Sequence, residues 1–211
     1  MPNRWGGRRS GAGRRPAPGR PRTGHDRRPE HVARHPVLLT LRAGAGVPSL
    51  RSLTLFAAIR NSIAPIDDST FRVLHFSVQQ DHVHAIVEAD GHVALTSGIR
   101  ALVIRIALAI KRIAGVGKVW GDRYHARALT TPREVRHAIA YVLLNFRKHL
   151  RAPAGIDPRS SAPWFDGWRR PTQPPGDCSP TAAPRTWLAA VGWRRHGLID
   201  FDETPNRSSK P

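Results

Sequence analysis

Cysteine is almost absent from this chain. Among 211 residues only Cys178 is a cysteine, so no internal disulfide can form and a reducing compartment is expected. Long apolar runs are lacking too. No stretch of about 18 apolar residues is evident, which predicts no membrane span. The N-terminus is basic without an apolar segment behind it, which argues against a secretory signal. Pro and Gly interrupt it too often for an amphipathic transit helix. Acidic residues are scarce, with 15 Asp plus Glu against 34 Lys plus Arg and a net charge of +19. A GC-rich coding bias accounts for Arg over Lys but not for basic over acidic. The imbalance points to a polyanionic partner, of which nucleic acid is the usual one. Tyrosine is also rare, with only Tyr124 and Tyr141 present.

What is present falls into three stretches. At ~100–200 residues per domain, the length suits one folded domain with appendages, large enough to bury a core without staples. Residues 1–34 carry ten arginines against Asp26 and Glu30, with many Gly and Pro. Such a segment cannot build a core and reads as a disordered basic arm. Residues 35–151 show clear hydrophobic periodicity. Residues 152–211 are rich in Pro and Ser, yet hold Trp164, Trp168, Trp187 and Trp193. No internal repeat is visible.

Within the middle stretch, residues 35–43 read as a strand and 48–63 as a helix, with Pro48 in its first turn. Asp67, Asp68 and Ser69 form a turn. Residues 71–79 and 82–88 are β-branched strands joined at Gln80 and Asp81 as a tight hairpin. Residues 97–113 carry a helical stripe of Ile99, Leu102, Val103, Ile106, Ile110 and Ile113, stopped by Gly115 and Gly117. Residues 119–129 make a fourth strand, with Gly121 as a bulge. Thr131, Pro132 and Glu134 form a capping box that opens a third helix, running to about Leu150. The order β-α-β-β-α-β-α predicts an α+β, ferredoxin-like antiparallel sheet with helices on one face. The terminal helix is then available for the other face.

His82 and His84 lie two apart on a strand and share a face, so their imidazoles can converge on a divalent cation. Two half-buried histidines on a sheet face are the plainer alternative. The third helix has an apolar stripe of Val135, Ala138, Ile139, Val142 and Phe146. Its rotation of 100° per residue is read as placing Tyr141 on the far side, with Asn145 one turn later and His137 one turn earlier. An exposed tyrosine is the alternative there. Arg123, Arg127, Arg133, Arg147 and Lys148 could contact phosphates, or could simply be solvated. Glu88 reads as a surface glutamate at a strand end. The Trp-rich tail could stack on bases, though stapling onto the core is the preferred reading.

The stretch QQDHVHAIVE, a helix, VWGDRYHAR and then TPREVRHAIAYVLLNFRKH together resemble the single-tyrosine HUH transposases, in particular the REP-associated tyrosine transposases of bacteria. His82, Val83 and His84 match the HUH triplet, Tyr141 the nucleophile and Asn145 a further metal ligand. The resemblance covers roughly residues 36–150. It departs where Phe146 follows Asn145, because close relatives often have Pro there, and in the long tail.

The resemblance implies a ferredoxin-like domain using divalent Mg²⁺ or Mn²⁺ to nick and rejoin single-stranded, hairpin-bearing DNA through a 5′-phosphotyrosine. It also implies a homodimer in which the tyrosine helix is often donated by a partner, and a cytoplasmic, nucleoid-associated bacterial protein. No phosphate-binding Gly loop is found, and the chemistry requires no ATP. The rival reading is a non-catalytic or domesticated nucleic-acid binder on the same scaffold. A ferredoxin-like RNA binder would instead need stacking aromatics on the central strands, which Phe76 alone supplies weakly.

Overall fold

A computed structural model describes residues 30–64, 70–147, 154–176 and 178–203. Most of the expected basic arm and the expected turn at 67–69 lie outside the described residues.

The sheet has four strands, the first three buried along most of their length: β1 (Val37–Arg42), β2 (Phe71–Val78), β3 (His82–Ala89) and β4 (His125–Ala128). They form one antiparallel sheet in the order β2-β3-β1-β4. Helices α1 (Leu53–Ile63) and α2 (His92–Ala114) pack together over one face. This is the ferredoxin-like arrangement expected from the element order. Side chains alternate across the sheet. Val37, Leu39 and Leu41 therefore join α1 and α2 in one core, while Leu38 joins a second core on the opposite face. Phe76 is fully buried in the first core, so it offers no base-stacking platform.

Several boundaries differ from the sequence expectations for local reasons. The first helix begins at Leu53 rather than Pro48, because the Leu50 N–H donates to the Gln80 carbonyl and Ser52 becomes the N-cap. Helix α2 starts five residues earlier than expected and ends at Gly115, whose φ of 65° is the left-handed cap that suits glycine. The fourth strand is shorter than expected. Ala43 bridges Trp120, the chain then leaves the ladder after Gly121, and pairing resumes at His125. The expectation of no apolar segment long enough to span a membrane also needs correction. By length and composition α2 reaches that threshold, with a mean hydropathy of 1.9. Its Ile99, Leu102, Ile106 and Ile110 nevertheless pack into the first core.

Helix α3 (Pro132–Leu144) covers the opposite face. The expected capping box is present, with the Glu134 N–H donating to Thr131 Oγ1 and the Thr131 N–H donating to the Glu134 carboxylate. Asn145 is the C-cap. Residues 148–150, the expected last turn, lie outside the described residues.

The C-terminal stretch then folds over α3. It includes a four-residue helix α4 (Trp187–Ala190) and a 3-10 turn at Gly192–His196. Trp168 and Trp193 are buried in the second core with Phe165, in line with the stapling reading, whereas Trp187 remains half exposed. Each such buried aromatic contributes about 2–3 kcal/mol of apolar burial.

Three polar anchors, two of them with buried carboxylates, join this stretch to the rest of the domain. Asp157 pairs bidentately with Arg51 at 2.7 and 2.9 Å. Arg136 holds Glu203 and the carbonyls of Gly197 and Leu198. Glu88, expected at the surface, is 1% exposed and accepts hydrogen bonds from Arg72, the Arg185 and Thr186 N–H groups and the Thr186 hydroxyl.

His75 on β2 packs edge-on against Phe165, 5.3 Å between ring centres. Burial pushes its imidazole down to about 4, against a smaller opposing effect of Asp166. The neutral ring is therefore favoured by folding. The stability it lends is complete above the unfolded value of 6.5 and is lost as pH falls from 6.5 toward 4. A shift of that size corresponds to ~3 kcal/mol. The ring keeps some solvent access, which reduces the expected loss to about 2 kcal/mol. Urea melts of the wild type and His75→Phe should diverge by this amount between pH 7 and pH 4. A constant difference across that range rules out this role for His75.

Candidate active site

The site is built on the α3-covered face of the sheet. In the ladder, Ser77 of β2 pairs with His84 of β3, and His84 pairs with Thr40 of β1, which pairs with His125 of β4. Cross-strand partners share a face, so this polar row lies on the same side as Leu38 and Ile86. His82 precedes His84 by one repeat and sits beside it, with ring centres 4.6 Å apart.

Both imidazoles are oriented through Nδ1. His82 Nδ1 lies 2.7 Å from Asp81 Oδ1, and His84 Nδ1 lies 3.0 Å from Thr40 Oγ1. The tautomers with the proton on Nδ1 place both lone pairs on Nε2. This is the way metal-binding histidines are commonly held by neighbouring acceptors. The His82 contact holds the Asp81 carboxyl below its usual range, with Arg42 adding to the effect. Neither Asp81 nor Thr40 was identified as a site residue from the sequence. Asp81 could have been, since it directly precedes His82. Thr40 could not, because register alone brings it to His84.

Tyr141 meets this row from α3. Its hydroxyl lies 3.2 Å from His84 Nε2, and the two rings stand 4.9 Å apart. The expectation that Tyr141 faces away from its domain is therefore corrected. Its position is roughly 100° from Val142, which is the flank of the stripe rather than its back. The back of the helix is taken by Ala140 and Leu144, buried in the second core with the C-terminal residues. The pair forms within one chain and needs no partner subunit.

Burial pushes the Tyr141 phenol above its usual value, with a smaller opposing effect of Asn145. Asn145 is 2% exposed. Its amide lies near the phenol, and Nδ2 is buried without a partner among the described residues. Turning the amide half a rotation puts Oδ1 in that place. Two oriented imidazoles with an unsatisfied buried amide therefore suit a divalent cation. Among the described residues, no three His, Cys, Asp or Glu side chains form a metal-holding group, so such a site depends on the amide. Partial burial, then Arg133, Arg136 and His196, hold the imidazole of His137, one turn before Tyr141, below its usual value, against a smaller opposing effect of Glu203.

The basic residues separate into different environments. Arg123 and Arg133 are exposed. Arg127 pairs with Glu134 at 3.2 Å and lines a cavity of ≈ 210 Å³ with Leu38, Thr40, His125 and Ala126. Thr40 is shared between that cavity and the histidine row. Arg147 Nη1 donates to the carbonyls of Phe201 and Glu203, so it holds the C-terminal stretch. Lys148 lies outside the described residues. Tyr124 packs against the first core, on the other face of the sheet.

No family model matches this chain, and no curated protein matches it. A solved structure similar to it is described as a REP-associated tyrosine transposase bound to a REP hairpin. That chain is 19% identical, with a TM-score of 0.48, and the alignment covers 59% of this chain and 73% of the other.

Proposed function

We propose that this protein nicks and rejoins single-stranded DNA through a covalent bond to Tyr141, as the HUH single-tyrosine resemblance implies. The observation that carries this reading is the 3.2 Å contact between Tyr141 Oη and His84 Nε2. It joins the tyrosine and histidine that the resemblance singles out, from elements far apart in sequence. His82, His84 and Asn145 are the residues that would hold a divalent cation, with Mn²⁺ suiting two imidazoles better than Mg²⁺. When bound, such an ion supplies charge neutralisation at the scissile phosphate.

The remaining work falls to the chain's own groups. Tyr141 Oη attacks phosphorus and the bond from phosphorus to the 3′ oxygen breaks. The phenolic proton leaves to solvent and the departing 3′ oxygen takes one up. A 5′-phosphotyrosine and a free 3′-hydroxyl result, and the stored ester bond lets the reverse step rejoin a strand without ATP. His84 Nε2 positions the phenol beside the row, and its lone pair serves either the phenol or a cation. Arg127 and His125 line the cavity next to Thr40 and suit a phosphodiester backbone, which positions a strand without reading it. A homodimer and a cytoplasmic, nucleoid-associated setting belong to the same proposal, although the Tyr141–His84 pair is complete in one chain.

The test is covalent capture. Incubation with Mn²⁺ and a single-stranded, hairpin-bearing substrate should give a protein–DNA adduct that survives detergent denaturation. If no adduct forms with a panel of such substrates and DNA still binds, the non-catalytic binder is the better reading. The basic arm has a separate expected result. Arginines neutralise phosphates and release counterions, about 0.7 of a unit of salt slope per contact on single strands. Deleting residues 1–29 should flatten the dependence of log affinity on log salt by several units without changing sequence preference. An unchanged slope shows that the arm does not touch DNA.

A further inference from the structure

We propose that Gln79 is a further oxygen ligand for the divalent cation held by His82 and His84, an inference that rests on the proposed metal-dependent reading of that site. Gln79 follows β2 at the hairpin. Its N–H donates to the His82 carbonyl at 2.8 Å, which sets the two residues opposite each other. The neighbouring pairs, Val78 with Val83 and Ser77 with His84, keep the same register. Alternation then places Gln79 and Ser77 on the face that carries His82 and His84.

The side chain is 1% exposed, and its Nε2 donates to Ser77 Oγ at 3.3 Å. That bond directs Oε1 away from Ser77, and Oε1 is buried without a partner among the described residues. A buried amide oxygen is ordinarily satisfied, and one left unpaired by the protein calls for another partner, an ion or a water. Two amides with unsatisfied buried atoms thus stand beside the site elements: Gln79 ends β2 opposite His82, and Asn145 caps the helix that carries Tyr141. Amide oxygens are hard neutral donors that suit Mn²⁺ and Mg²⁺. Two imidazoles and two amides bring no negative charge, so the ion keeps its full positive charge for an anionic phosphodiester. The sequence shows Gln79 only as the end of a strand.

Mn²⁺ titration of the full-length protein without DNA, followed by calorimetry, tests the assignment. Wild type should bind Mn²⁺, and His84→Ala should lose that binding. Gln79→Leu should bind at least ~10-fold more weakly, the usual cost of losing a supporting group at a metal site. Gln79→Glu keeps the oxygen and should bind as tightly as wild type or more so. In wild type, independently of any variant's folding, Mn²⁺ should broaden the Gln79 side-chain amide resonance at the lowest additions. If His84→Ala loses binding while Gln79→Leu does not and the Gln79 resonance stays sharp, only the Gln79 assignment is overturned. If wild type binds no Mn²⁺, or His84→Ala binds unchanged, the metal reading is overturned with it.

Discussion

Replacing Tyr141 by Phe is expected to leave a folded protein that binds DNA and forms no covalent adduct. The change removes one oxygen. Its structural cost is a single hydrogen bond to His84 Nε2, about 1 kcal/mol. Under the proposed reading its chemical cost is the nucleophile itself, and removal of a catalytic nucleophile lowers turnover on the order of 10⁴-fold or more. Strand nicking should therefore fall below detection while the salt-sensitive DNA affinity stays within about two-fold, a difference under the ~1.4 kcal/mol that marks a ten-fold change.

The pH profile adds a second readout. Burial raises the Tyr141 pKa above its ordinary value near 10, so the phenol is protonated at neutral pH. Where phenolate formation limits the rate, adduct formation should climb about ten-fold per pH unit from 7 to 9. Tyr124→Phe is the control, because Tyr124 packs on the opposite face of the sheet and its loss should leave the adduct in place. An adduct that persists in Tyr141→Phe, or that maps to Tyr124, overturns the assignment of the nucleophile.

Glu88→Ala is expected to be strongly destabilising although it touches no site residue. Glu88 Oε2 accepts from Arg72 Nη1 at 3.2 Å and from the Arg185 N–H at 2.9 Å. Glu88 Oε1 accepts from the Thr186 N–H at 3.0 Å and the Thr186 hydroxyl at 2.6 Å. The Arg72 side chain is 4% exposed. Truncation leaves that cation without its buried carboxylate and strips two backbone donors and a hydroxyl of their acceptor. Breaking a buried pair from one side costs about 3–5 kcal/mol. Arg72 keeps its bond to the half-exposed Asp90, which places the expected loss near the lower end, about 3 kcal/mol.

Because the same carboxylate anchors the turn before α4, the second core should loosen with it. Tryptophan emission from Trp168 and Trp193 should shift to the red before the sheet unfolds. Asp90→Ala, which breaks only an exposed pairing, should cost under about 1 kcal/mol. Urea denaturation decides the matter. A loss below 1 kcal/mol for Glu88→Ala shows that the tether carries no weight.

These two residues show the division between what could be read from the chain and what could not. The order of elements followed from local pattern. β-branched content between turn signals marked the strands and period-3.6 stripes marked α1 and α2. The capping box at Thr131 to Glu134 set the start of α3 within a residue. Placing His82 and His84 on one face needed only the geometry of a strand. All of these are short-range properties, in which each residue's role is set by neighbours within about four positions.

Tertiary structure decided the rest. Glu88 looked like a surface residue because its partners Arg185 and Thr186 lie 97 and 98 positions away, and no local period encodes such a pairing. Asp157 and Arg51 are hidden from sequence for the same reason. Arg147 gives no local sign that its Nη1 donates to carbonyls of the C-terminal stretch. Tyr141 sits on the flank of its helix, a position that periodicity leaves between buried and exposed. The docking of α3 on the sheet and of the C-terminal stretch on α3 turned that flank toward His84. The chain's own pattern thus determined which faces its chemistry-bearing side chains share. Long-range packing determined which of those faces meet, because burial of the second core is a property of the assembled layers and not of any single segment.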